Sequence, residues 1–245
     1  MWQNREKYKA DITVVTALFK GENTNIPHSV GIYDPIWVDK LYRGIARHYS
    51  GLFDFVCLTD ANYKFEENIR QVRLSKSVDQ YGWMSLMDLY RPDLCDGKRF
   101  TAGLDTIITG SLDDILAYDP PRDAGPPHEI ALCRDPNTPD LVCNAVTLAT
   151  PKFCEQLWEL WQTKEEEILE KCIFFNVPSE MAVMRNYYNN SPKLDVVFPQ
   201  RLLSYKMHLQ KNFDLVKTAS IVYFHGKPKP QQLIASQGWI KEYWR

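Results

Sequence analysis

The stretch Asp11-Ile-Thr-Val-Val-Thr-Ala-Leu-Phe19 is a continuous run of apolar and β-branched residues near the start of the chain. Such a run is typical of a strand buried on both faces of a parallel sheet, because neither face then needs polar side chains. The run is shorter than the roughly 18 apolar residues of a membrane span, and the segment before it is polar and charged. We therefore predict a buried strand here and no signal peptide.

A helix and a second strand are predicted directly after this strand. Asp34 and Pro35 are residue types preferred at a helix N-cap and at the first helical position. Apolar side chains then recur at intervals of four residues, as expected for the buried face of a helix: Trp37, Leu41, Ile45 and Tyr49. The segment from Phe53 to Leu58 is a second apolar run. This strand-helix-strand order predicts an α/β fold with a Rossmann-like sheet.

The composition is that of a globular protein. Of the 245 residues, 44% are hydrophobic and 24% are charged, and no linker divides the chain, so we expect one domain over residues 1–245. The net charge of −2 argues against a protein that coats nucleic acid. The six cysteines form no CxxC pair and lie mostly in apolar runs. Reduced, buried cysteines and the lack of a membrane span predict a cytoplasmic protein.

An acidic residue interrupts the apolar stretch Phe100-Thr-Ala-Gly-Leu-Asp-Thr-Ile-Ile-Thr109. We predict one strand from Arg99 to Thr109 that contains Asp105. An uncompensated carboxylate inside a strand is costly, so Asp105 needs a metal, a cation or backbone donors as its partner. If the strand ends near Asp105, the carboxylate lies at the edge of the sheet where α/β proteins bind ligands. Alternatively, Asp105 only caps the turn into Thr106.

A second informative stretch, Val222-Tyr-Phe-His-Gly-Lys-Pro-Lys-Pro230, lies near the end of the chain. A predicted strand delivers His225 to its end, and Gly226 allows the backbone to approach a ligand closely. Two lysines follow in a loop that two prolines stiffen. An imidazole can bind a metal and ammonium groups can neutralise phosphate oxygens, so the stretch suits a polyphosphate with a bound cation. The alternative is an ordinary surface loop.

Together these two stretches resemble the glycosyltransferases of the GT-A fold, especially those like glycosyltransferase family 8. The segment from Thr106 to Leu116 is similar to the continuation of their Asp-x-Asp motif, and the segment from Phe224 to Pro230 is similar to their late histidine-lysine motif. The resemblance implies a mixed, mainly parallel central sheet flanked by helices. It covers roughly residues 11 to 230, and further segments that support it are 13–17, 56–60, 81–83, 91–94 and 203–206.

Two residues depart from the family pattern. Gly103 stands where the first acid of Asp-x-Asp is expected, and Leu86 stands where a lysine is often found. Loss of one carboxylate should weaken binding of Mn2+ or Mg2+, which prefer oxygen ligands. Three readings stay open: Asp105 and His225 hold the ion with the donor diphosphate, the lysines neutralise the diphosphate, or catalysis is lost.

The resemblance also implies roles for individual residues. Asp105 and His225 would hold the metal ion, and Asp105 would also take part in catalysis. The residues expected to border the nucleotide-sugar donor are Thr16, Ala17, Asp60, Trp83, Gly226 and Lys229. Trp83 could stack on a sugar ring, and its alternative interpretation is a buried core tryptophan.

On the acceptor side, Asn144 and Ser179 are candidates for contacting the acceptor, and Glu180 is a candidate catalytic carboxylate. Ser179 and Glu180 also have the residue types of a helix N-cap and of a first-turn acid, which is their alternative interpretation.

The leading functional hypothesis is a metal-assisted transferase that moves a sugar from a nucleotide donor to a glycan, lipid or protein acceptor. Similarity to family 8 implies retention at the sugar carbon. The alternative is a catalytically degenerate module that binds a nucleotide sugar, and Gly103 motivates it. A nucleotidyltransferase uses a similar sheet, but no glycine-rich phosphate loop with basic residues follows the first strand.

Overall fold

The computed structural model describes residues 10–20, 32–120 and 129–245. The loops expected at 20–29 and 119–128 lie almost wholly outside these residues. The strands of the described part are β1 (Ile12–Leu18), β2 (Phe53–Thr59), β3 (Arg70–Arg73), β4 (Arg99–Ala102), β5 (Thr106–Ile108), β6 (Ile130–Arg134), β7 (Val142–Ala149), β8 (Ile173–Phe174), β9 (Val177–Pro178), β10 (Leu202–Ser204) and β11 (Ile221–Tyr223).

The same described residues form α-helices, 3₁₀ helices and a π-helical segment. The α-helices are α1 (Pro35–His48), α2 (Val78–Tyr81), α3 (Asp113–Ala117), α4 (Pro151–Thr163), α5 (Glu165–Lys171), α6 (Glu180–Tyr188), α7 (Leu194–Val197), α8 (Pro230–Leu233) and α9 (Gly238–Tyr243). The 3₁₀ helices are Gly82–Tyr90, Pro92–Leu94 and Phe213–Lys217, and a π-helical segment spans Tyr205–Leu209. None of the helices in the described ranges is both long and apolar enough to cross a membrane.

A six-stranded sheet forms the centre of the described part of the chain, in the order β3-β2-β1-β4-β7-β6. Strands β3, β2, β1 and β4 run parallel, whereas β7 is antiparallel to both β4 and β6. The predicted mixed, mainly parallel sheet is therefore confirmed. As predicted, β1 is buried on both faces, since Val14 packs into one hydrophobic cluster and Val15 into another.

Helix α1 follows its sequence signals. The Asp34 side chain accepts a hydrogen bond from the backbone N–H of Ile36 at 3.1 Å, and Pro35 begins the helix. Trp37, Leu41 and Ile45 are buried against the sheet. All six cysteines are free, and five of them are buried, as predicted for reduced core cysteines.

The single strand predicted from Arg99 to Thr109 is wrong, because the chain turns at Gly103. The Gly103 carbonyl accepts a hydrogen bond from the Thr106 N–H at 3.1 Å, which closes the turn between β4 and β5. Strand β4 stays in the central sheet, while β5 joins a second sheet in the order β10-β11-β5. The apolar pattern continues through the turn and so hides it. Asp105 consequently lies at the junction of the two sheets.

Gly110, just after β5, allows the backbone to pass close to Ala219, just before β11. Replacement of Gly110 therefore tests the packing at the junction of the two sheets. A Cβ atom at residue 110 would lie 2.8 Å from the backbone carbonyl oxygen of Ala219, which cannot move aside as a side chain can. We expect Gly110→Ala to lower the free energy of unfolding by about 2 kcal/mol in urea denaturation. Gly97→Ala is the control, since its Cβ would meet nothing within 4 Å. Equal losses in both variants would contradict this account.

Candidate functional site

The Asp105 carboxylate lies at the carboxyl end of β4 and has a cation as its partner. Its Oδ2 accepts hydrogen bonds from the Tyr33 hydroxyl at 3.1 Å and from the Lys229 ammonium group. The side chains of Asp105 and Lys229 are only 14% and 12% exposed. The ammonium group also lies 3.4 Å from the Phe224 carbonyl oxygen, to which it donates. The mid-chain acid predicted to need a partner thus pairs with a lysine 124 residues further along the chain.

The second sheet brings the end of the chain to Asp105. Strand β11 pairs with β5 in antiparallel register, with Tyr223 opposite Thr106. Just beyond this pair, the Phe224 N–H donates to the Asp105 carbonyl oxygen at 3.2 Å. The segment that begins with His225 therefore starts beside the turn that carries Asp105.

His225 is half-buried in the same group of charges. Its Nε2 lies 2.8 Å from the Ser204 hydroxyl, at the end of β10. Burial and the nearby Lys206 ammonium group lower the pKa of His225, and Lys229 acts in the same direction, while Asp135 and Asp105 oppose them. The lowered pKa favours the neutral imidazole.

Gly226 has a positive φ of 63°. This left-handed conformation favours glycine, because a Cβ atom would crowd the following backbone. A Cβ atom here would meet nothing within 4 Å. The backbone conformation, rather than lack of space, is thus the reason for a glycine between His225 and the lysines.

Glu180 belongs to a second polar group, at the start of α6. Ser179 is the N-cap, as one interpretation of the sequence predicted, and its hydroxyl accepts from the Met181 N–H at 3.2 Å. Glu180 is completely buried. One carboxylate oxygen accepts from the Tyr90 hydroxyl at 3.1 Å, and the other accepts from the Asn144 amide. Burial raises the pKa of Glu180 to about 7, although the hydrogen bonds from Asn144 and Tyr90 oppose this shift.

Neighbouring strands of the central sheet, β4 and β7, connect the two groups. Asn144 is in β7, which pairs with β4, and the adjacent Ala145 carbonyl accepts from the Gly103 N–H at 3.2 Å. Gly103 is two residues before Asp105. Asn144 therefore lies beside the turn that carries Asp105, and it links Glu180 to that edge of the sheet.

Three of the other predicted donor residues lie at the same edge, at the carboxyl ends of β1 and β2. Thr16 is buried and its hydroxyl donates to the Ala102 carbonyl at 2.8 Å, and Ala17 follows it. The Asp60 carboxylate accepts from the Lys20 N–H and from the Tyr63 hydroxyl, both at 2.9 Å.

Trp83 has a different setting from these three residues. It lies in the 3₁₀ helix Gly82–Tyr90 and is partly buried. Its ring centroid is 6.3 Å from that of Phe174, which belongs to β8. Trp83 therefore packs beside the short β8–β9 hairpin that leads into Ser179 and Glu180.

The sequence reasoning missed two tyrosines. Tyr33 holds the Asp105 carboxylate, and burial together with the Asp105 charge raises its pKa. Tyr90 holds Glu180 from within the core. Neither residue belongs to a motif or a charged cluster in the sequence, so only the folded chain reveals these contacts.

Asp105 and His225 are the residues expected to hold a metal ion. In residues 10–20, 32–120 and 129–245 there is no group of three or more His, Cys, Asp or Glu side chains placed to hold a metal ion. Asp105 has an ammonium group in direct contact. A Cβ atom at Gly103 would lie 3.1 Å from Asp105 Oδ1, so a carboxylate at residue 103 would lie beside that of Asp105. The binding of Mn2+ or Mg2+ by Asp105 and His225 stays a prediction.

Comparison with known proteins gives matches among solved structures alone. No family model matches the chain, and no curated protein matches it. The glycosyltransferase LgtC, in the form of an active-site mutant, matches with a TM-score of 0.60 and 11% identity over 94% of this chain and 93% of LgtC. The glycosyltransferase GlyE of Streptococcus pneumoniae TIGR4 matches with a TM-score of 0.56 and 15% identity over 89% of this chain. The bifunctional glycosyltransferase WbbM matches with a TM-score of 0.60 and 12% identity over 97% of this chain.

These matches show the fold. The chain has the GT-A-like fold of glycosyltransferases, as the resemblance implied. It spans nearly all of LgtC but only 55% of GlyE and 52% of WbbM. At 11–15% identity the likeness is one of architecture, so the activity of this chain has to be argued from its own residues.

Proposed function

We propose that this chain is a glycosyltransferase that moves a sugar from a nucleotide-sugar donor to a glycan acceptor. The observation that carries the proposal is the pairing of Asp105 with Lys229 at the carboxyl end of β4, in a fold shared with glycosyltransferases. This edge of an α/β sheet is where such folds bind ligands. Another solved LgtC structure, which matches with a TM-score of 0.59, holds donor and acceptor sugar analogues, and its likeness favours a glycan over a lipid or protein acceptor.

The donor diphosphate fits the basic end of the site. Its neighbours there would be Lys229, His225 and Gly226, and the nucleotide would lie along the ends of β1 and β2. During transfer the bond between the sugar carbon and a diphosphate oxygen breaks, and that carbon bonds to the acceptor hydroxyl oxygen. The hydroxyl proton leaves with the diphosphate. A fixed ammonium group stabilises the charge that develops on the leaving group.

The buried Glu180 carboxylate is suited to stabilise the positive charge that develops on the sugar carbon. The sugar carbon gains positive character as the leaving group departs, and a buried, ionised carboxylate stabilises a nearby positive charge. Glu180 is itself covered, whereas Asn144 is partly exposed. Asn144 would therefore contact the sugar or acceptor, and Glu180 would orient the Asn144 amide and supply the charge. Ser179 is buried like Glu180, and its hydroxyl caps α6.

A second candidate function is a module that binds a nucleotide sugar without transferring it. Two observations favour it: Gly103 removes one acid of the family motif, and Lys229 already engages the remaining acid. Binding and turnover separate this candidate from the transferase.

The test combines donor binding with product release. The chain is incubated with UDP-, GDP-, ADP- and dTDP-sugars, with and without a library of glycan acceptors, in Mn2+ and in EDTA. Release of a nucleoside diphosphate that depends on the acceptor supports the transferase. Donor binding in calorimetry without release supports the binding module, and release of pyrophosphate from a nucleoside triphosphate and a sugar phosphate would indicate a nucleotidyltransferase. Failure to bind any of these nucleotides would contradict the proposal.

A further inference from the structure

Resting on the proposed function, we propose that Lys229 takes the place of the divalent cation in this site. Its ammonium group, held by the Asp105 carboxylate, would bind the donor diphosphate directly. The chain would then bind nucleoside diphosphates without a metal ion.

The geometry of Lys229 fits this role. An ammonium group has three N–H donors. In Lys229 one donor goes to Asp105 Oδ2 and another to the Phe224 carbonyl oxygen. Within the described part of the chain no other acceptor contacts the third donor, which we expect to bind a phosphate oxygen. Because the lysine side chain is only 12% exposed, its charge is screened less than that of a surface lysine.

The charges of the site balance in the same way as those of a metal site. A divalent cation held by two carboxylates has no net charge, and neither does one ammonium group held by one carboxylate. This chain lacks the acid at residue 103 and has a cation of single charge on the acid at residue 105. Loss of one negative charge and replacement of a doubly charged ion by a singly charged one compensate each other.

The surroundings carry further positive charge, together with one further carboxylate, that of Asp135. Lys206 and Lys229 both act on the half-buried His225. An imidazole can hydrogen bond to a phosphate oxygen through a ring N–H. Among the described residues, moreover, Asp105 and His225 are not joined by a third His, Cys, Asp or Glu in a group that could hold an ion.

The deciding experiment uses the unmodified chain. Binding of UDP, GDP, ADP, CDP and dTDP is measured by calorimetry in EDTA and again in Mn2+. We expect at least one of them to bind with dissociation constants that agree within about threefold in the two conditions, a difference below 1 kcal/mol. Binding that weakens about tenfold or more in EDTA would overturn the inference and leave the proposed function intact. If none binds in either condition, the proposed function itself fails.

Replacement of the lysine tests its part directly. Lys229→Met should weaken nucleoside diphosphate binding in EDTA by about tenfold or more, the equivalent of losing one charge-assisted hydrogen bond. Lys217→Met is the matched control, because Lys217 is 75% exposed and pairs with Asp214 at the surface. Undiminished binding by a folded Lys229→Met protein would overturn the inference.

A third arm does not depend on the stability of the Lys229 variant. Gly103→Asp places a second carboxylate beside Asp105, and Gly103→Asn adds nearly the same volume without the charge. Titration of Mn2+ in the presence of UDP, followed by electron paramagnetic resonance, should show Mn2+ bound about tenfold or more tightly by Gly103→Asp than by either the unmodified chain or Gly103→Asn. Equally tight Mn2+ binding by the unmodified chain would overturn the inference.

Discussion

Glu180→Gln should give a protein that is more stable than the unmodified chain above about pH 7 and, under the proposed function, much slower as a transferase. Burial is the cause of the stability effect, because an ionised carboxylate without solvent costs free energy in the folded state. A glutamine keeps the shape of Glu180 and can hydrogen bond to Asn144 and Tyr90, but it never ionises. The variant therefore shows separately how the Glu180 charge affects the stability of the fold and how it affects the transfer rate.

The direction of the pH dependence follows from the two pKa values. The pKa of Glu180 is raised from an ordinary value of 4.5 to about 7 in the folded chain. The protonated group therefore contributes stability that is fully present below about pH 4.5 and is lost as the pH rises through about 7. At 1.36 kcal/mol for each pKa unit, the loss is about 3 kcal/mol. Urea denaturation across this range should show the loss in the unmodified chain and its absence in Glu180→Gln.

The transfer rate should change in the opposite direction. The unmodified chain should become faster as Glu180 ionises near pH 7, whereas Glu180→Gln should be about a hundredfold slower above that pH and lack this step in its pH profile. Glu167→Gln is the control, since Glu167 is exposed and pairs with Lys171 on α5. A Glu180→Gln protein with the same dependence of stability on pH as the unmodified chain would contradict the assignment of this shift to Glu180. An unchanged rate would contradict its proposed role.

Asp105→Asn should lower the free energy of unfolding by about 3 kcal/mol, because it leaves the largely buried Lys229 ammonium group without its counter-charge. Asparagine keeps the size of the side chain and can still accept from Tyr33. The measurement is urea denaturation at fixed pH. Asp214→Asn is the control, because Asp214 is 79% exposed and pairs with Lys217 at the surface. The free energy of unfolding of this variant should equal that of the unmodified chain within error.

A double variant checks that the missing counter-charge is the cause. Asp105→Asn combined with Lys229→Met removes both charges, and we expect it to recover most of the stability lost in Asp105→Asn. Removing both members of a buried pair avoids the unpaired charge that makes the single variant unstable. A double variant as unstable as the single one would show that shape, rather than charge, is what Asp105 contributes.

Much of the fold could be predicted because its signals are local. The apolar run of β1 encodes burial on both faces, and Asp34 and Ser179 have the side chains that cap helices in the structure. The turn at Gly103 could not be predicted in the same way, since apolar residues continue on both sides of it. Its position depends on the pairing of β5 with β11, a contact between distant parts of the chain.

The residues of the site could be identified from the sequence, but the contacts between them could not. Asp105 stood out because it interrupts an apolar stretch, and Lys229 stood out because it lies in a stiff, basic loop. Their direct pairing was not foreseen, since a metal ion on Asp105 and a diphosphate against Lys229 would explain the same residues. Tyr33 and Tyr90 gave no signal, because a tyrosine near apolar residues is usual in any core.

The 124 residues that separate Asp105 from Lys229 set an order for the maturation of this protein. While the chain is still being synthesised, β1, β2 and β4 can leave the ribosome long before Lys229 does. Until then the Asp105 carboxylate lacks the ammonium group that it contacts in the folded chain. A nascent chain therefore cannot complete this buried ion pair, or the junction of the two sheets around it, before the segment that follows β11 has been made.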